Sequence, residues 1–289
     1  MNKILNTLKK SRYSELEIID NKILSFLNSN ENELNSYYKK FLFDGAKRLR
    51  PLFILLVCEL EEFEINDDIY NLICAVELIH NASLIHDDIL DEALTRRNKE
   101  CIHITKGNKI AVLAGDYLLT EAMDFLSEIK NKKVYKTIAN AAKDMTKSEI
   151  KSLLNRFNRI NLEDYLLISK EKTSSLFVAA VKSLYEIKGI KENQTLIDFS
   201  EKFSLCFQLK DDINNFLNKD ENKCAKDNLQ GVYTLPLILR ENIKNNYDII
   251  QKSNEFLNNL INEAKKLLAG YRDSKAKEDI FSLIELFKG

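Results

Sequence analysis

The chain has 289 residues, 43 Lys and Arg against 44 Asp and Glu, and a net charge of -1; it is long enough to bury a sizeable core and lacks the basic footprint of a general nucleic-acid binder. Only 7 Gly and 2 Pro are present, while Leu, Lys, Glu and Ala abound, which excludes an all-β fold for want of turn residues and predicts an all-α one. No shift in composition and no repeat of fixed period divides residues 1–289, which are read as one domain.

In chain order, residues 4–27 and 34–43 read as two amphipathic helices from their apolar spacing. Residues 44–51, DGAKRLRP, break at Gly45 and crowd Lys47, Arg48 and Arg50 into one turn. Such clusters are ordinarily solvated surface, but the apolar helix expected over 52–60 would anchor this one near the core. Asn66 followed by Asp67 and Asp68 makes a helix start, with a capping residue and acids in the first turn. That helix is expected to run to about Asp91, roughly 37 Å at 1.5 Å per residue. A further helix is expected after Gly107, within residues 106–123, where Ala114 and Gly115 permit close packing that would draw Asp116 inside. Residues 134–154 and 162–187 continue the helical pattern. Within the latter, Lys172 and Thr173 precede the small-residue run SSLFVAAV, for which tight packing is the ordinary explanation. Residues 197–217 read as another helix. The polar, lysine-rich residues 218–230 have little to bury and read as a mobile lid. Residues 233–287 read as helices with Pro236 near a helix start, and the whole predicts an orthogonal helical bundle around a central cavity.

The five cysteines, Cys58, Cys74, Cys101, Cys206 and Cys224, are odd in number and show no CxxC spacing. They are read as buried free thiols, which fits a reducing, cytoplasmic setting. The basic N-terminus lacks the apolar run of a signal peptide, and no run of about 18 apolar residues spans a membrane. Peripheral membrane contact stays open.

Residues 77–97, ELIHNASLIHDDILDEALTRR, carry the densest chemistry. Asp87 and Asp91, four apart, project from one helix face with Asp88 beside them, so negative charge is bunched. Oxygen-only ligands suit a hard ion such as Mg²⁺, which keeps waters and completes its shell with phosphate oxygens. The paired guanidiniums of Arg96 and Arg97 suit a diphosphate. A solvated acidic face is the bland alternative. Against it stands a second cluster, FQLKDDINNF at 207–216, in which Asp211 and Asp212 follow an apolar run and Asn215 takes the four-residue position. Two such clusters suggest two facing helices with metals between them. The competing di-iron carboxylate bundle needs Glu-x-x-His pairs, and Glu77–His80 and Glu100–His103 have that spacing. It would leave both Asp clusters and the arginines unused.

GAKRLRP, HNASLIHDDILDEALTRR, GNKIAVLAGDYLL, KEKTSSLF, FQLKDD and GVYTLPLI together resemble, in order and spacing, the trans-type polyprenyl diphosphate synthases over roughly residues 40–240. The resemblance implies an all-helical, usually homodimeric enzyme that joins isopentenyl diphosphate head-to-tail onto an allylic diphosphate using Mg²⁺. It implies that Asp87, Asp88, Asp91, Asp211 and Asp212 hold the metal against the allylic diphosphate. Lys47, Arg50, His80 and Arg97 resemble the isopentenyl diphosphate pocket. Arg96 and Lys172 resemble allylic diphosphate ligands, and Thr173 and Gln208 would flank the reacting carbons. Physical logic agrees with the family: breaking the allylic C–O bond puts charge on the leaving diphosphate, which metals, Lys and Arg stabilise. The carbocation needs an apolar, water-poor pocket.

This sequence departs from the family's pattern at Asn215, where the family has Asp, at Ala46, Asn98 and Ser148, where it has Gly, and at Val232, where it has Lys. Lys223 or Lys226 would be the substitute for the last. These departures leave open a weakly active or noncatalytic subunit that pairs with another synthase chain; a terpene cyclase fits less well, because the isopentenyl-binding set looks complete. Counting down the helix from Asp87, Ala82 lies about 7.5 Å beneath, Ile79 about 12 Å and Val76 about 16 Å. With alanine at the first of these positions the resemblance is to longer-chain synthases with products above C20, and a farnesyl or geranylgeranyl diphosphate synthase is the alternative.

Overall fold

The computed structural model describes residues 2–29, 34–217, 233–240, 243 and 245–288. It is helical almost throughout these residues, as the composition predicts, and divides into two compact units, Met1–Lys136 with Glu186–Gly189, and Thr137–Tyr185 with Ile190–Gly289. The expected lid at 218–230, with Lys223, Cys224 and Lys226, and Val232 lie outside the described residues.

In the first unit, α1 (Asn2–Ser11) and α2 (Tyr13–Ser29) replace the single helix expected over 4–27. The break falls at Arg12, whose buried guanidinium grips Glu59 through Nε at 2.6 Å and Nη2 at 2.5 Å. A tertiary ion pair thus overrides a continuous local pattern. After α3 (Asn35–Phe43), the chain turns at Gly45, φ 68°, and Arg48 sits in the left-handed region at φ 54° as the cap of α4 (Leu49–Leu60). That conformation is costly for a residue with a Cβ. Arg48 is held in it by ion pairs to Asp20 and, at 3.4 Å, to Glu77, and by stacking over Phe43. Behind this turn α4 is apolar on every side and buried from Leu52 to Cys58, as a helix through a core must be.

α5 (Asp67–Leu90) begins where Asn66 Oδ1 accepts the Ile69 N–H at 3.1 Å, a cap stabilising it by about 1 kcal/mol. Its buried face includes Leu72, Val76, Ile79, Ala82 and Ile85. The hairpin β1 (Thr95–Arg96) and β2 (Lys99–Glu100) and the short α6 (Ile102–Lys106) lead into α7 (Asn108–Ser127), the helix against which α5 packs most extensively. Gly115 makes that approach possible, because a Cβ there would sit 2.2 Å from His86 Nε2. Asp116 is not drawn inside: its side chain is 55% exposed and meets His86 at 3.4 Å. Small residues draw in the backbone of α7, while the next position points around the helix.

The second unit holds α8 (Lys133–Leu154) from Thr137 onward, α9 (Leu162–Ser169), a π-helical turn (Lys170–Ser174), α10 (Ser175–Lys188) up to Tyr185, α11 (Gln194–Leu217), α12 (Leu235–Arg240), α13 (Asn246–Leu267), a 3₁₀ turn (Leu268–Gly270) and α14 (Lys275–Glu285). Asn161, Asn245 and Ser274 cap α9, α13 and α14 through their side chains. Phe203 of α11 centres the core, with ring centroids 5.8 Å from Phe177, 6.0 Å from Phe199 and 5.3 Å from Phe287. The described cysteines Cys58, Cys74, Cys101 and Cys206 are buried free thiols. Among the described residues no helix is long and apolar enough to cross a membrane.

Candidate active site

The acidic end of α5 is assembled against the helix dipole, whose C-terminus disfavours carboxylates, so it calls for cations. One is delivered by the hairpin. Its two-residue loop, Arg97 and Asn98, has φ 51° and 62°, the conformation of a type I′ turn, which asparagine tolerates nearly as well as glycine. Asn98 in place of the family's glycine is therefore compatible with the turn. The hairpin returns Arg96 to Asp88: Nε lies 2.8 and 2.9 Å from the two carboxylate oxygens, and Nη2 lies 2.7 Å from one of them. Asp88 is 2% exposed, and its charge outweighs the cost of burying Arg96, holding the guanidinium's pKa above its ordinary value. Cys101 is pushed up to about 12 by burial and then by the neighbouring Asp88 carboxylate.

Asp87 is partly exposed, and Asp91 is exposed just past the helix, its N–H donating to the Asp87 carbonyl at 2.8 Å. These two aspartates are thus the more accessible carboxylates of the cluster. Among the described residues no three His, Cys, Asp or Glu are gathered as a metal cage. Mg²⁺ needs none, since it binds one or two carboxylates together with phosphate oxygens and water. A di-iron bundle takes its Glu-x-x-His pairs from helices, whereas Glu100 stands in β2. The donor set therefore fits Mg²⁺ and not the di-iron bundle.

His80, about two helical turns below Asp87 and Asp88, is kept neutral: burial, then the charges of Arg50, Arg97 and Arg96, push its pKa well below the usual range. This gathers four of the expected diphosphate ligands in one neighbourhood. Arg97 Nη1 donates to the Phe41 carbonyl at 2.7 Å and stacks on the Phe41 ring, Arg50 is 6% exposed at the start of α4, and Lys47 is exposed in the turn before it. Ala46 carries no positive φ, so it too tolerates the family's glycine position; its carbonyl accepts Lys9 Nζ at 2.7 Å. Ala82, Ile79 and Val76 are 0%, 6% and 1% exposed on the packed face of α5.

In the second unit the π-helical turn carries Lys172 and Thr173. Wide turns of this kind recur at functional sites. Ser148, fully buried, donates to the Ile168 carbonyl just ahead of the turn at 3.0 Å, and Glu149 beside it pairs with Lys172 at 2.5 Å. Thr173 Oγ1 donates to Gln208 Oε1 at 2.7 Å, Gln208 Nε2 donates to Asp212 Oδ1 at 2.9 Å, and the Tyr165 hydroxyl donates to Asp212 Oδ2. Asp211, beside it, is partly exposed, as is Asn215. Of these participants Glu149 and Tyr165 were not legible in the sequence: each sits in an ordinary amphipathic pattern, and only the fold reveals its polar partner.

A model of the polyprenyl synthetase family matches residues 31–269. Solanesyl diphosphate synthase 2, chloroplastic, of Arabidopsis thaliana is 34% identical over 245 residues, 81% of this chain and 59% of that protein. The chain belongs to the polyprenyl synthetase family. It spans about three-fifths of the length of the plant solanesyl synthases it matches. Heptaprenyl diphosphate synthase component 2 of Bacillus subtilis is 29% identical over 263 residues, 87% of this chain and 75% of that protein. Among solved structures, a polyprenyl synthase from Caulobacter crescentus complexed with calcium and isoprenyl diphosphate has a TM-score of 0.86 at 24% identity, covering 98% of this chain and 97% of that one. A decaprenyl diphosphate synthase from Rhodobacter capsulatus gives 0.86 at 22%, covering 98% of both chains. These likenesses place the fold among the isoprenoid synthases.

Proposed function

We propose that the chain is a Mg²⁺-dependent prenyltransferase that condenses isopentenyl diphosphate head-to-tail with an allylic diphosphate, giving an all-trans polyprenyl diphosphate longer than about C20. The observation that carries this reading is the aspartate cluster at the end of α5 with Arg96 returned to it by the hairpin, Nε 2.8 and 2.9 Å from the Asp88 oxygens, and Arg97 following in the same turn. Lys47, Arg50, His80 and Arg97 bind isopentenyl diphosphate. Neutral His80 can donate one N–H to a phosphate oxygen without adding charge. Asp87, Asp88 and Asp91 would hold Mg²⁺, which would neutralise charge on the departing diphosphate, and Asp88 also orients Arg96. Arg96 keeps further N–H donors for the allylic diphosphate. In the second unit Asp211 and Asp212 take the same metal-binding role, Lys172 binds allylic diphosphate, and Thr173 and Gln208 lie along the reacting carbons. Ala82, Ile79 and Val76 line the path of the growing chain.

Residues 1–289 act as one synthase domain, as a homodimer in the cytoplasm, free to touch a membrane peripherally. A second reading, a subunit of a two-chain synthase, is favoured by the likeness to a protein named as a component. Replacing Asp87 or Asp211 by Ala tests the metal-binding assignment: turnover should fall by orders of magnitude in each. Wild-type activity of either variant at saturating Mg²⁺ removes that cluster from the chemistry.

A further inference from the structure

Asp212 is 5% exposed on α11, and a carboxylate so buried is costly unless its oxygens accept hydrogen bonds. Both do: Oδ2 accepts from the Tyr165 hydroxyl and Oδ1 from Gln208 Nε2 at 2.9 Å. An O–H donor to an ionised carboxylate is among the stronger hydrogen bonds a protein makes. Tyr165, itself 4% exposed on α9, is the donor in that bond, and its packed ring aims the hydroxyl at the carboxylate.

The consequence reaches further along the network. An amide has one donor side and one acceptor side. With its NH₂ committed to Asp212, Gln208 must turn its carbonyl to Thr173, whose Oγ1 donates to it at 2.7 Å from within the π-helical turn. α9, the π turn and α11 are thus tied in one orientation by three hydrogen bonds that begin at a tyrosine.

We propose that Tyr165 is a positioning residue for the diphosphate site of this unit: its hydroxyl fixes the Asp212 carboxylate, which sets the Gln208 amide and through it the Thr173 hydroxyl. The inference rests on the function proposed above, and it assigns work to a buried side chain that acts through Asp212.

Tyr165→Phe keeps the packed ring and removes only the hydroxyl. In the metal-free protein, the Gln208 side-chain amide signals, identified by their loss in Gln208→Leu, should shift on Tyr165→Phe. Calorimetry with Mg²⁺ and inorganic diphosphate should show binding weakened about 10-fold, within the range for groups that orient metal ligands. The kcat should fall comparably while the KM for isopentenyl diphosphate holds, and Tyr165→Phe added to Asp212→Asn should cost little more than Asp212→Asn alone. Unmoved amide signals, or losses that multiply in the double variant, overturn the proposal, as does a variant altered only in melting temperature. A wild-type chain that takes up no diphosphate with Mg²⁺ defeats the function proposed above and this inference with it. A wild type that binds beside an indifferent Tyr165→Phe defeats this inference alone.

Discussion

Within each acidic pair one carboxylate is buried and bonded to the protein while its neighbour is partly exposed. Asp88 faces Arg96 and Asp212 faces Tyr165 and Gln208, whereas Asp87 and Asp211 keep accessible surface. Sequence spacing alone treats the members of a pair as equals, because the DDxxD pattern carries no information about which oxygens the fold will occupy. The difference has separable consequences. Asp87→Ala should remove activity with little change in unfolding free energy. Arg96→Ala should also destabilise the fold in urea, by about 3 kcal/mol, since it strands a buried carboxylate. Equal stability of the two variants would show that the Asp88–Arg96 pair contributes nothing to folding. Arg50 is proposed as a ligand of the other substrate. Arg50→Ala should raise the KM for isopentenyl diphosphate by roughly 10- to 100-fold, the value of one charged hydrogen bond of about 1.5–3 kcal/mol. A KM raised for the allylic primer instead would mean that the two pockets are reversed.

Among the elements, those with a local signature were legible: the Asn66 cap announced α5, and Gly107 announced α7. What the pattern could not announce was decided by distant partners. Arg12 breaks the first helix because Glu59 waits for it, and Arg48 enters the left-handed region because Asp20 and Glu77 hold its guanidinium. The small pair Ala114–Gly115 did mark the close contact of α5 and α7, yet the inference drawn for Asp116 failed, since one step along a helix turns a side chain about 100° around it. Gly115→Ala should destabilise the protein by about 1–2 kcal/mol, the overpacking against His86 exceeding the gain in helix propensity. In a His86→Ala background the same substitution should become neutral or stabilising. Urea unfolding of the four proteins in this cycle checks it, and an unchanged penalty without His86 would place the clash elsewhere.

For the molecule as a whole, composition was enough to predict an all-helical fold, and six motifs in order were enough to reach the family; under the proposed function product length would depend instead on which residues fill the depth beneath Asp87. Ala82 is fully buried there, and under the proposed chain path a tyrosine at that position would fill the space an elongating chain needs. Ala82→Tyr should therefore shorten the main product to about C15 or C20. An unchanged product ladder would remove Ala82 from the chain path while leaving the synthase assignment intact. The central claim, metal-dependent chain elongation, is tested most directly by incubating the purified chain with labelled isopentenyl diphosphate, Mg²⁺ and each allylic primer in turn, then sizing the dephosphorylated products. The account predicts primer-dependent label in products longer than about C20, abolished by a chelator and restored by Mg²⁺. No incorporation with any primer at saturating Mg²⁺ would contradict it and leave the chain as a subunit awaiting its catalytic partner.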